Sequence, residues 1–432
     1  VQSVRKELRL TLALALPMIM GQVSQMLIGI TDAAMIGRVG TVELAASAFC
    51  QSVFGIFFII GIGLLMPVGV FTARDHGAGD LTGCAAWLKH GRIMALVAGA
   101  GAFLLLWGLS TQLHRFGQPV AVVAVARPFF LLISLSLIPV LYFQAQRQYL
   151  EAMGRPWVGT FIMLADVGLN VFLNWVFIWG HWGVPAMGLT GSGVATLLAR
   201  TLAVTTISFW IRREQAPATG LEWRRFRAML VMGVPAAVSL LFEIGAFSVA
   251  ALLMGTLGAV ALAAHQVALS CAAFTFMVPL GLSMAVSIRV SKASGEGRGA
   301  AVRPIVFGVL GLTVLIMGTT ALVFTLGGGW LARAFTPDLA VVALATHLLV
   351  VAAIFQLFDG SQVVAIGALR GLQDVRVPTI ITFVAYWIVA LPLAYFLAMH
   401  TALGPIGVWV GLAGGLACAA MLLITRFVRK TG

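Results

Sequence analysis

Four carboxylates stand inside long apolar stretches of this 432-residue chain: Asp32, Asp166, Glu243 and Asp359. At the centre of a membrane helix each would cost about 2.5–3.5 kcal/mol on insertion scales, so such groups face a bundle interior or a wet cavity and mark ion or proton paths. Asp166, Asn170 and Asn174 recur every four residues and therefore stack on one helix face. A carboxylate beside carboxamides can be hydrogen-bonded in either protonation state, which suits reversible proton binding. The plainer reading of each acid is a buried, inert group satisfied by hydroxyls or amides. It weighs most at Asp166, which reads as lying closer to a helix end.

These acids need long helices to hold them, and the composition supplies them. Hydrophobic residues make up 61% of the chain and charged residues 9%, against about a quarter charged in soluble domains. Twelve apolar runs follow one another from 10–36 to 405–427, each long enough for a span of roughly 20 residues. The net charge of +13 raises nucleic acid as a partner, but the basic residues lie singly between apolar runs, not on one element. Twenty-two of the 27 fall at one set of ends, including Arg5, Arg74, Arg147, Arg225, Arg289 and Arg429. The positive-inside rule then places both termini in the cytoplasm. Trp175, Trp179 and Trp182 sit at the opposite end as an interfacial belt. The first run carries Gln22, Gln25 and Asp32, which argues against a cleaved signal. The four cysteines are far apart, without metal-type spacing.

The chain repeats. Shifted by 218, Pro17 meets Pro235, Gly37 meets Gly255, Gly63 meets Gly281 and Gly79 meets Gly297. From 17 to 79 the match needs no gap and gives 16 identities in 63 positions. The expected architecture is an all-α polytopic membrane protein with about twelve spans in two pseudo-symmetric six-helix lobes. The lobes are 1–213 and 228–432, joined by a cytoplasmic loop 214–227. Parallel repeats of this kind are related by an axis along the membrane normal, with a cavity between them. In the same frame Glu243 corresponds to Gln25, two turns before Asp32, so the first helix of each half presents an acid on one stripe. Pro17 and Pro235 each free a backbone carbonyl in that helix and permit a kink, static or hinged. Cavity methionines such as Met26 would suit varied ligands. His265 reads first as a packed helix-end residue and second as a proton relay. Glu151, four after Arg147, reads as an interfacial ion pair. No glycine directly precedes any lysine, so a Walker A loop is absent, as are H-E-x-x-H and C-x-x-C; no enzymatic activity is expected.

Segments such as LPMIMGQVSQMLIGITDAAMIGRVG, LNVFLNWVFIWG, VPAAVSLLFEIGAFSVAALLMGTLGAVALAAHQVAL and DGSQVVAIGALRGLQD resemble the multidrug and toxic compound extrusion family, in its NorM-like bacterial branch. The resemblance covers nearly the whole chain. It implies a secondary active transporter of the bacterial inner membrane, acting as a monomer without cofactor. Such a transporter exchanges cationic amphipathic compounds for H⁺ or Na⁺ by alternating access. By position, Asp32 with Asn170 and Asn174 matches the family's amino-lobe cation or proton site. Pro17 matches its bending proline. Glu243 and Asp359 match the carboxyl-lobe acids linked to Na⁺. Gln25, Met26 and Phe355 are expected in the substrate cavity. Phe355 departs from the tyrosine that members with the Na⁺ site can carry there, so a hydroxyl is lost. Asp166 is not a family motif residue, yet it could pair with Asp32, and two acids in low dielectric tend to hold one proton between them. H⁺ is therefore favoured over Na⁺, which wants about six oxygen ligands. The alternatives are a dedicated metabolite exporter, a lipid-intermediate flippase of the same superfamily, and a channel or membrane enzyme.

Overall fold

The computed structural model describes residues 2–117, 119–212 and 220–432, and among these the regular structure is helical. The helices are α1 (Gln2–Gly37), α2 (Thr41–Gly77), α3 (Leu81–Ser110), α4 (Val120–Leu135), α5 (Leu137–Ala152), α6 (Pro156–Trp179) and α7 (Gly188–Arg212). They continue as α8 (Trp223–Thr256), α9 (Ala259–Gly295), α10 (Val302–Phe335), α11 (Leu339–Gly371), α12 (Arg376–Phe383), α13 (Leu391–His400) and α14 (Pro405–Thr431). Counting α4 with α5 and α12 with α13, twelve stretches are long and apolar enough to cross a membrane, as the sequence predicts. Of the expected inter-lobe loop, residues 214–219 lie outside the described residues.

The repeat governs local structure to the residue. Shifting α2 by 218 gives the bounds of α9. Gly79 and Gly297 close the following turns with φ of 79° and 71°, a left-handed backbone that glycine adopts without steric cost. Pro17 and Pro235 lie inside α1 and α8, and both helices run through.

Two compact units are present. One holds Met20–Ala237; the other holds the chain through Ile19 together with Val238–Gly432. Each unit thus includes the opening segment of the other repeat's first helix. In the second unit Glu7 pairs with Arg289 and, at 3.3 Å, with Arg298. In the first, Arg225, which stands at the repeat position of Glu7, reaches Asp75 at 3.9 Å, while Trp87 Nε1 donates to Asp75 at 2.7 Å. The charges are swapped and the anchorage is the same. Close packing completes it: a Cβ on Gly63 would strike the Ala237 backbone, and one on Gly281 the Ile19 backbone.

Two helix breaks trace to proline. Pro139 has no N–H for the carbonyl four residues back, and the chain breaks at Ser136 between α4 and α5. Ahead of Pro392, residues Val384–Ala390 widen into a π turn in which the Leu391 N–H bonds Tyr386 O, five residues back. Lipid gives no hydrophobic drive between helices, so small residues that permit close approach carry the packing. On α14, Gly407, Gly411 and Gly415 form such a stripe: Cβ atoms there would meet the Leu397 carbonyl, the Ala394 backbone and Ala390. The apolar side chains left outside, Leu326 at 84% and Trp330 at 77% exposed, belong to the lipid face.

Gly411→Val is expected to overpack the α13–α14 seam and cost about 1–3 kcal/mol. Gly318→Val, where nothing lies within 4 Å of the added carbon, should stay within about 0.5 kcal/mol. Equilibrium unfolding by SDS titration compares the two, and equal losses would show that the stripe does not hold the seam.

Candidate ion and substrate site

In the unit Met20–Ala237, α1, α6 and α7 bring a chain of polar groups together. Asn174 Nδ2 donates to Asp32 Oδ1 at 2.6 Å and to Asn170 Oδ1 at 3.2 Å, and Asn170 Nδ2 donates to Thr196 Oγ1 at 3.4 Å. All are buried, Asp32 at 5% exposure and Asn174 at 0%. The four-residue spacing of Asn170 and Asn174 makes this possible. One carboxamide bonds the next along the helix face, and the second amide spends both protons, one on its neighbour and one on the carboxylate of another helix.

Asp32 also lines a cavity of about 440 Å³ whose wall includes Gln25, Gln51, Phe54, Gln144, Asp166 and Arg200. Asp166 sits one turn before Asn170 and faces this space; its Oδ1 is buried without a hydrogen bond. Arg200 lies within electrostatic reach of both acids. Its Nη1 donates to Ser136 Oγ at 2.5 Å, and its guanidinium lies 5.0 Å from the centre of the Phe54 ring. Of the residues expected at the substrate cavity, Gln25 lines this one; Met26 and Phe355 do not.

The second unit holds Glu243 on α8 and Asp359 on α11, close enough to interact electrostatically, with Arg370 also near Glu243. Asp359 is 7% exposed and its Oδ1 has no hydrogen bond. Gln362, three residues on and on the same face, donates through Nε2 to the Tyr386 hydroxyl at 2.9 Å, while its Oε1 is buried and unbonded. Tyr386 comes from the π turn. Its ring lies 6.2 Å from Phe247, which in turn lies 6.0 Å from Phe355, and Phe355 stacks edge-on against Trp409 at 5.3 Å. His265 is fully buried near the start of α9, edge-on to Trp409 at 5.7 Å, and neither ring nitrogen is hydrogen-bonded. Glu151 pairs with Arg147 at 2.7 Å in the buried interior, not at an interface. Gly21 leaves room for that guanidinium and Gly159 for the methylene stem that carries it.

Sequence reasoning passed over Thr196, Gln362 and Tyr386. Gln362 had a signal, the three-residue spacing from Asp359 on one face. Tyr386 had only its polarity within an apolar run, and Thr196 had none.

The family model MatE matches residues 17–176 and again 235–396, once in each repeat. A probable multidrug resistance protein NorM of Mesorhizobium japonicum is 37% identical over 99% of this chain and 94% of the relative. A probable NorM of Bradyrhizobium diazoefficiens is 38% identical over 96% and 92%. Among solved structures, the outward-facing conformation of a multidrug resistance MATE family transporter of the MOP superfamily matches with a TM-score of 0.92. It covers 100% of this chain and 97% of its own at 20% identity, a likeness that speaks to the fold. With the family model on both repeats and such relatives along nearly its full length, the chain belongs to the MatE family of multidrug efflux transporters, which are membrane transporters and not enzymes.

Proposed function

We propose that the protein exports cationic amphipathic small molecules across the bacterial inner membrane in exchange for H⁺, by alternating access, as a monomer with both termini cytoplasmic. The lobes 1–213 and 228–432 are its two halves, the bodies that move are the compact units in which they exchange the openings of their first helices, and Pro17, close to that exchange point, is a hinge. The observation that carries the reading is the Asn174–Asp32 bond at 2.6 Å on the wall of a cavity that also holds Asp166. A carboxylate kept buried by an amide donor can exchange a proton for an organic cation without leaving its place. Protonation removes the charge that attracts the substrate, and loss of the proton restores it. Asp166, one turn from Asn170, lets the pair share a single proton. Gln25, Gln51 and Gln144 add hydrogen-bonding groups that tolerate varied ligands, and the aromatic face of Phe54 adds apolar surface. Each proton entering down the membrane potential contributes about 2.3 kcal/mol per 100 mV, so no nucleotide is needed.

A second reading has its own support. Glu243 and Asp359 would bind Na⁺, and Phe355 cannot supply the hydroxyl a tyrosine would. The Tyr386 hydroxyl, within electrostatic reach of both acids and held by Gln362, adds an oxygen to their four, toward the six that Na⁺ wants. The proton reading is still preferred, because the Asp32 group is already joined by hydrogen bonds on the wall of a cavity.

Asp32→Asn should fold and insert normally but export no faster than protein-free vesicles; wild-type export under a defined gradient would remove Asp32 from the mechanism. Export in Na⁺-free proteoliposomes should follow ΔpH and stop when ΔpH and potential are collapsed. Export that survives uncoupling but needs an inward Na⁺ gradient would move the coupling site to Glu243 and Asp359. Glu243→Gln with Asp359→Asn should abolish any Na⁺ stimulation, measured as Na⁺-dependent dye efflux, and an unchanged Na⁺ response would exclude these acids as its site.

A further inference from the structure

Three charged side chains line the cavity of the unit Met20–Ala237: Asp32 from α1, Asp166 from α6 and Arg200 from α7. Its other lining residues, from α2 and α5 as well, are neutral. Arg200 forms no direct ion pair with either acid among the described residues. It is held instead by Ser136 Oγ and the Phe54 ring. Ser136 is itself fixed, since its own hydroxyl proton goes to the Ile133 carbonyl at 2.6 Å and leaves a lone pair for Arg200. The guanidinium is therefore a stationary positive charge that both carboxylates feel and neither neutralises by contact. With both acids ionised the cavity carries one net negative charge. One proton, or one singly charged organic cation, brings it to neutrality. A second positive charge would enter a low-dielectric space already balanced, where Coulomb repulsion is weakly screened.

We propose that Arg200 fixes the cavity's uptake at one positive charge, so that it accepts singly charged amphipathic cations and discriminates against doubly charged ones. This rests on the reading of the cavity as the substrate site and adds the valence of what it takes. A guanidinium suits the role because it stays charged at any working pH.

The test uses ethidium, singly charged, and propidium, which keeps the same ring system and adds a quaternary ammonium. Binding of each to purified protein in nanodiscs is followed by fluorescence anisotropy at one pH and ionic strength, without any gradient. The wild type should favour ethidium. In Arg200→Gln the ratio should move toward propidium by roughly tenfold or more, the scale of one unit charge acting at an effective dielectric of about 20. Arg200→Lys, which keeps the charge, should restore most of the wild-type ratio. A ratio unmoved in Arg200→Gln, or one that moves equally in Arg200→Lys, overturns the inference. Failure of both dyes to bind overturns the substrate reading of the cavity and this inference with it, whereas binding of both with an unmoved ratio overturns this inference alone. Should Arg200→Gln fail to insert, the wild type decides: release of one proton or fewer per bound ethidium upholds the inference, and release near two overturns it.

Discussion

A carboxylate in a helix that borders hydrocarbon must be solvated by the protein itself, and much of this molecule is arranged around that constraint. Asp32 is nearly buried at the wall of a cavity, and its hydrogen bond comes from Asn174 on another helix. That amide can serve only if its second proton is also placed, and Asn170 takes it. Asn170 then needs an acceptor for its own N–H, which Thr196 of α7 provides. Three helices are thus committed to one acid. The opposite unit keeps its acids differently. Asp359 is buried within electrostatic reach of Glu243 and of Tyr386, whose hydroxyl accepts from Gln362.

The same scarcity of water shapes the packing. Helices in lipid gain nothing by hiding apolar surface from a solvent that is equally apolar. The glycine stripe of α14 lets backbones touch, and the large side chains it displaces are sent outward to lipid. Where the helix ends approach the aqueous face, ion pairs take over. Glu7 and Arg225 occupy one repeat position and carry opposite charge, each anchored to groups of the opposite sign. The repeat preserved the anchorage while its chemistry reversed, because only the product of the two charges matters to the bond.

Much of this was legible in the sequence for definite reasons. Apolar run length gave twelve spans, since hydrocarbon thickness sets helix length. The ungapped shift of 218 anticipated the shared bounds of α2 and α9 and the paired turn glycines, because a left-handed φ restricts what can stand there. The i, i+4 ladder of Asp166, Asn170 and Asn174 put those side chains on one face. What the sequence hid depends on which helices meet. Nothing in the run of residues tells that Thr196 stands opposite Asn170, or that the chain through Ile19 packs with Val238–Gly432. Glu151 looked interfacial from its spacing to Arg147, and burial of the pair depends on Gly21 and Gly159, which are far away in sequence. Tyr386 was hidden for another reason. Its place beside Gln362 lies in a π turn set up by Pro392, and a pattern read at 3.6 residues per turn misplaces every side chain after such a widening.

Proline makes a comparable contribution within the unit Met20–Ala237, and there the consequence is electrostatic. Pro139 ends the hydrogen-bond ladder between α4 and α5, and Ser136 sits at the break. Like a helical serine it bonds the carbonyl of its own preceding turn, here Ile133, and it still presents an oxygen to Arg200. A guanidinium on an apolar helix would otherwise collapse onto the nearest carboxylate, and Asp32 or Asp166 would be consumed in a buried ion pair of little use to a passing cation. Held by Ser136 and Phe54, Arg200 offsets the acids without occupying them. The charge balance of this cavity therefore depends on the serine and the ring that hold the arginine as much as on the two acids.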